Sequence, residues 1–171
     1  MIFSKVAITP VQPLLEVPAS LWADLVAHLR QQSGGVRESG GFVLGRKTNS
    51  ARVATVFLPY EQLEADALHD DFVSLSAASF AMLWSICRTN NLSVVADIHT
   101  HRFSAGQSLS DRTNPMVALP GHIALILPNF GRDESHLSGA RLYVYRGEHR
   151  WQSLSGSDVD SRLRLRDKGG Q

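Results

Sequence analysis

The sequence predicts a single α/β domain, on three observations. Two amphipathic helical stretches, Ser20 to Leu29 and Ala77 to Arg88, are interleaved with apolar strand-like runs. Ile123 to Leu127 is a continuous apolar run that reads as a buried strand, and Ser93 to His101 reads as a core strand ending in a polar edge. A chain of 171 residues without repeat or linker suits one domain with a substantial core.

Taken in order, Val6 to Thr9 reads as a short strand. Ser20 is a suitable N-cap for a helix whose Leu21, Trp22, Leu25, Val26 and Leu29 share a face, and Gly34-Gly35 stops it. Gly41 to Arg46 and Arg52 to Leu58 read as paired strands around a polar turn at Thr48-Asn49-Ser50. Glu61 to Asp71 is acidic and unpatterned, a surface insertion, and Phe72 to Leu75 is short and strand-like. The second helix carries Phe80, Leu83, Trp84 and Cys87 on its inner face and ends at Asn90-Asn91. In the strand that follows, Val94, Ala96 and Ile98 are expected to face away from His99 and His101. A short helix is expected after Ser108, limited by Pro115. Ile123 to Leu127 and Leu142 to Tyr145 read as strands, with His149-Arg150-Trp151-Gln152 returning as a hairpin. The domain then spans residues 1–154. Residues 155–171 form a polar tail, for which disorder is as good an expectation as a last helical turn. Gly169-Gly170 looks superficially like the end of a ubiquitin-like protein, but a polar terminus accounts for it.

Hydrophobic residues make up 43% and charged residues 19%, as in soluble globular proteins. A net charge of +1 offers no argument for a nucleic-acid or membrane partner. The single cysteine, Cys87, excludes an intrachain disulfide, suits a reducing compartment, and reads as a buried structural thiol beside Trp84 and Ile86. The start Met-Ile-Phe-Ser-Lys-Val lacks a signal-peptide core and no apolar run approaches membrane-spanning length, so the expected location is the cytoplasm.

The chemistry concentrates in Asp97-Ile98-His99-Thr100-His101, followed by Asp111. Strand alternation turns His99 and His101 to the same side, and Asp111 can return across the polar loop Ser104-Ala105-Gly106-Gln107-Ser108. Two imidazoles and one carboxylate make an open zinc site, with the fourth position left for water. Ser108-x-x-Asp111 is at the same time a helix capping box, which would hold Asp111 in the orientation a metal needs. Asp97 shares the face of His99 and reads either as its second-layer partner or as an ordinary strand-edge aspartate. His28 reads as solvated and His122 as a satisfied buried or supporting histidine; neither these nor His69, His136 and His149 are assigned to the metal. Other zinc patterns are missing: no Pro-Cys-x-x-Cys of a deaminase, no HExxH of a zincin, and Arg102-Phe103-Ser104 where a metallo-β-lactamase site needs Asp-His.

Upstream stands Glu38-Ser39-Gly40-Gly41-Phe42-Val43-Leu44-Gly45, an acidic residue entering a glycine-flanked apolar strand. In this order, Glu38, His99-Thr100-His101 and Ser108-x-x-Asp111 resemble the JAMM signature of the JAB/MPN metalloprotease family, over roughly Gly40 to Phe130. The resemblance implies a JAB/MPN-type, cytidine-deaminase-like fold, a curved mixed β-sheet flanked by helices. It implies one zinc per chain on His99, His101 and Asp111, with Glu38 as acid/base and Ser108 steadying the oxyanion. Two departures stand out: Arg102 replaces the proline that usually follows the second histidine, and the loop to Asp111 is one residue shorter than usual. Both lie on the rim of the site, which makes Arg102 a candidate for substrate binding.

Members of the family cut after the Gly-Gly tail of ubiquitin or ubiquitin-like proteins, so the resemblance implies a zinc isopeptidase acting on such a tail. The compact chain is similar to stand-alone bacterial JAB proteins found beside ubiquitin-like conjugation genes, some serving antiphage defence. Two alternatives stay open at this stage: a peptidase of sulfur-carrier processing, and a catalytically silent MPN scaffold.

Overall fold

The computed structural model of the chain describes residues 14–132, 137 and 139–167. The strand expected at Val6 to Thr9, His136 and Gly169-Gly170 lie outside the described residues. Among the described residues, eight strands form one mixed, curled sheet flanked by helices. In chain order the elements are β1 (Leu15–Pro18), α1 (Ala19–Ser33), β2 (Gly40–Lys47), β3 (Arg52–Pro59), α2 (Tyr60–Leu63) and α3 (Ala77–Asn90). There follow β4 (Ser93–Thr100), α4 (Leu109–Thr113), β5 (Ile123–Leu127), β6 (Arg141–Gly147), β7 (Arg150–Ser155), α5 (Ser157–Arg162) and β8 (Leu163–Arg166). The spatial order is β7-β6-β5-β4-β2-β3-β1-β8. Parallel pairs β4·β5, β1·β3 and β1·β8 are mixed with antiparallel neighbours. No helix among the described residues is long and apolar enough to cross a membrane.

The two faces of the sheet have separate cores. On one, α1 packs Trp22, Leu25, Val26 and Leu29 against Val43, Ile98, Leu125 and Leu142. On the other, Leu83 and Cys87 of α3 meet Phe42, Leu44, Leu58 and Tyr60. α1 ends as expected, on Gly34 in the left-handed conformation (φ 56°), and α3 ends on Asn91 at φ 51°. Burying side chains of this size on both faces removes about 1.5–3 kcal/mol of exposed apolar surface each, the main force holding the sheet between its helices.

Several expectations are corrected. Pro18, extended at the end of β1, occupies the cap position of α1, so Ser20 lies inside the helix and no side chain caps it. Trp84 is 37% exposed, so the inner face of α3 is Ser79, Leu83 and Cys87, with Phe80 half-buried. The acidic segment at 61–71 is no plain surface insertion, because Leu63, Ala67 and Leu68 are buried in the α3-side core. His28 is part-exposed rather than free in solvent: its Nε2 lies 2.5 Å from Glu61 Oε1.

Val94 lies on the histidine face, not opposite it. Val43 pairs with Ala96 but Leu44 pairs with Val94, so a bulge at Val95 consumes one residue and reverses the alternation behind it. Val94 consequently joins the α3-side core, while Val95, Ala96 and Ile98 join the α1-side core.

The polar tail from 155 takes the ordered of its two expected forms and extends it by a strand that was not expected. Residues 157–162 form α5, and β8 pairs in parallel with β1 from Leu163↔Leu15 to Arg166↔Pro18. Val159 and Leu163 are 0% and 2% exposed, buried in the main core. Val159 and the brief alternation Leu163-Arg164-Leu165-Arg166 are too short to mark an element in the sequence, yet they dock an edge strand whose backbone bonds are supplied by β1.

Candidate metal centre

The site forms where β4 ends. Asp97, Ile98 and His99 of β4 are hydrogen-bonded between β2 and β5, so the strand is held on both sides up to its last residues. His101 lies just past it and is fixed by its backbone: its N–H donates to Leu127 O at 2.9 Å, and its carbonyl accepts from Phe130 N–H at 2.9 Å. The two imidazoles thus face the same way on a rigid support, as alternation requires.

Glu38 is brought in by β2. Ser39 ties the two segments together: its N–H donates to Thr100 Oγ1 at 3.2 Å, its carbonyl accepts from Thr100 N–H at 2.9 Å, and its hydroxyl donates to Leu29 O at 2.7 Å. The pairing Gly40↔His99 places β2 directly beside the histidine strand. A Cβ on Gly40 would collide with the Tyr60 ring and stand 2.7 Å from Ile98 O and 2.8 Å from His99 Cβ, so the close approach requires glycine here.

Asp111 arrives on α4, and the capping box expected from Ser108-x-x-Asp111 is present in full. Ser108 Oγ accepts from Asp111 N–H at 3.1 Å, and Asp111 Oδ2 accepts from Ser108 N–H at 2.7 Å.

The donor atoms converge. His99 Nε2 and His101 Nε2 are 3.1 Å apart; Asp111 Oδ1 is 3.5 Å from the first and Oδ2 is 3.3 Å from the second. Ligands about 2.0–2.1 Å from a tetrahedral zinc stand about 3.3–3.4 Å from one another, so this triangle fits one ion. The donor set, two imidazole nitrogens and a carboxylate, is also one that zinc accepts while keeping an open position. Glu38 Oε1 lies 3.6 Å from His101 Nε2, beside the triangle.

The electrostatics follow from packing. Burial lifts the Glu38 carboxyl above the ordinary glutamate range, against the pull of the His101 and His99 rings. For His99, burial works towards the neutral ring, but the Asp111 and Asp97 carboxylates facing it outweigh burial and push the pKa up to about 10. Asp111 shows the mirror image: burial raises it, and the hydrogen bonds from His101 and His99 hold it far below its usual value.

A cavity of about 320 Å³ opens beside the triad. Glu38, His99, Ser108 and Asp111 line its polar side, and Phe72, Leu75, Phe80, Met116 and Trp151 its apolar side. The segment at 71–75 also lines the cavity, whereas of the insertion expected at 61–71 only Asp71 reaches it. Trp151 escaped sequence reasoning; it closes the cavity from β7, its Nε1–H donating to Arg112 O at 3.2 Å. Arg102 is not among the lining residues. It is exposed, 5.9 Å from the centroid of the Phe103 ring, beside a separate depression with Gly35, Phe130 and Arg132.

Behind the triad, Asp97 Oδ1 meets His122 Nε2 at 2.5 Å, and Asp97 Oδ2 stands 3.7 Å from His99 Nδ1. Cys87 is buried as expected, and burial raises its thiol pKa.

No family model matches the chain. Solved structures that share its fold include two bacterial proteins. The solution structure of a protein from Desulfitobacterium hafniense is similar at a TM-score of 0.66 and 14% identity, over 91% of this chain and 94% of that one. The solution structure of a protein from Salinibacter ruber gives a TM-score of 0.53 at 11% identity, over 87% and 90%. Likeness at such identity speaks for the fold alone.

Proposed function

We propose that this chain is a JAMM-type zinc peptidase with a JAB/MPN, cytidine-deaminase-like domain. Its substrate is the amide or isopeptide bond that follows the C-terminal tail of a ubiquitin-like protein. The observation that carries this reading is the triangle of His99, His101 and Asp111 donor atoms, 3.1–3.5 Å on its edges, with the Glu38 carboxylate beside it. Four residues from three separate segments have no structural need to converge in this way.

A zinc ion held by His99, His101 and Asp111 would supply Lewis acidity for the scissile carbonyl and would lower the pKa of a water to about 7. Glu38 takes the proton that the water loses as its oxygen attacks the carbonyl carbon. It then delivers that proton to the amine nitrogen as the C–N bond breaks. A carboxyl lifted by burial is suited to both halves of this transfer. Ser108 Oγ accepts from Asp111 N–H, which leaves its own hydroxyl hydrogen to donate to the developing oxyanion. The apolar side of the cavity takes the tail, which can lie extended along the segment at 71–75.

The biological setting that fits this chemistry is a bacterial ubiquitin-like conjugation system of the cytoplasm, such as those of antiphage defence. The test is elemental analysis of the purified protein together with cleavage of fusions to a cognate ubiquitin-like tail. One zinc per chain and cleavage after the tail are expected, both lost in His99→Ala. Activity in zinc-free protein would overturn the reading.

A further inference from the structure

Asp97 and His122 have no part in that mechanism, yet they are ionisable groups only 2% and 5% exposed, 2.5 Å apart. Withdrawing a carboxylate from water costs several kcal/mol unless its oxygens are satisfied, so a buried aspartate calls for an account of both. Oδ1 is taken by His122. That histidine is rigidly presented: its N–H donates to Leu119 O at 2.9 Å, and its carbonyl accepts from Tyr145 N–H at 2.8 Å. Gly121, at φ +87°, makes the turn that aims it into the sheet. Oδ2 is left facing His99 Nδ1 at 3.7 Å. The Tyr60 hydroxyl, buried without a hydrogen-bond partner at normal range, also faces this carboxylate, and burial and the Asp97 charge together push its phenol well above the usual range.

We propose that Asp97, held by His122, is a positioning residue for His99: it accepts the Nδ1–H of the ring and so keeps the Nε2 lone pair turned towards the metal. The inference rests on the zinc reading above. A neutral imidazole carries one proton, on one nitrogen or the other. With the proton on Nε2, the hydrogen would point at His101 Nε2, 3.1 Å away, and block the ligand position. With an anionic acceptor behind Nδ1, the other tautomer is favoured and the ring is oriented. The present 3.7 Å contact is longer than a hydrogen bond, and a small rotation of the His99 ring that brings Nδ1 about 0.5 Å towards Oδ2 closes it. His122 keeps Asp97 from rotating away, since a carboxylate gripped at Oδ1 can offer only Oδ2 to His99. Histidine, aspartate and ligand thus form one buried line from the β5 turn to the metal centre.

Asp97→Asn is the sharpest probe, because it keeps the shape and turns an acceptor into an NH2 donor facing Nδ1, which selects the wrong tautomer. Zinc affinity is measured at fixed pH by competition with a fluorescent zinc chelator, alongside the Tm of the metal-free protein. A loss of about 10–100-fold in affinity is expected, the range for removal of such a partner. In zinc-loaded wild type the His99 Nδ1–H should give a slowly exchanging NMR signal that Asp97→Asn loses. Should the Asn variant not fold, His122 supplies the pair: His122→Gln retains an N–H donor and keeps affinity within about threefold, whereas His122→Phe loses about tenfold. Zinc affinity unchanged in Asp97→Asn, or equal in His122→Gln and His122→Phe, overturns the positioning role while leaving the zinc reading intact. Wild-type protein that binds no zinc overturns both. A purely structural role would move Tm and leave affinity and the NMR signal where they were.

Discussion

Ser108 and Asp111 hold each other across the first turn of α4, each backbone N–H donating to the other's side chain, at 2.7 and 3.1 Å. The same Asp111 carboxylate meets His99 and His101 at 3.5 and 3.3 Å, so the residue that starts the helix also aims a metal ligand. Ser108→Ala removes the cap and the hydroxyl together. Loss of the cap costs about 1 kcal/mol locally, and loss of an oxyanion donor slows kcat by about 10²–10³. Ser108→Thr retains both functions and should keep most of the turnover. Steady-state kinetics on the pair checks this, and equal rates in both variants would assign the oxyanion to another group.

Glu38→Gln separates catalysis from stability. The carboxyl is lifted by burial, so its charged form is the costly one, and a neutral amide of the same shape should leave Tm unchanged or higher. Zinc should stay bound while turnover falls below detection. In wild type, Glu38 must be ionised to take a proton, so the acid limb of kcat/KM should lie above the ordinary glutamate value of 4.5. A limb at or below that value would remove Glu38 from the proton transfer.

Zinc affinity should rise with pH. In the metal-free protein His99 stays protonated up to about 10, so at neutral pH the incoming ion must displace that proton. Below this value each unit fall in pH should weaken binding by about tenfold, one proton released per zinc. Chelator competition between pH 6 and 8.5, or about that window, measures the slope. A flat profile would mean that the ion binds elsewhere.

Gly40→Ala should damage fold and site together. The added methyl group meets Tyr60, Ile98 O and the His99 Cβ, and only a shift of β2 away from β4 relieves it. Overpacking of this kind costs about 1–3 kcal/mol. Because β2 also carries Glu38 to the triad, kcat should fall more than Tm alone explains. Calorimetry and kinetics on the one variant test it, and wild-type values for both would show that the strands can part without disturbing the site.

The clustering of His99, His101 and Asp111 was legible because it is set locally, whereas Glu38 came only with the family resemblance. His99 and His101 share a face through a two-residue period, and Ser108 caps Asp111 within a single turn, so spacing alone brings those atoms near one another. The helices over Leu25 and Leu83, their stops at Gly34 and Asn91, and the strand Ile123–Leu127 depend likewise on neighbours a few residues away. What the tertiary structure alone decided involves partners far apart in the chain. The bulge at Val95 exists only against β2, and it reversed the face of Val94. The meeting of Asp97 with His122 depends on the parallel pairing of β4 with β5, and Trp151 reaches the cavity only through the hairpin of β6 and β7. β8 takes its backbone bonds from β1 at the opposite end of the described chain, and no pattern within Leu163–Arg166 could announce that. Local periodicity encodes which way a side chain points; which distant strand lies beside it is set by the burial of both sheet faces at once.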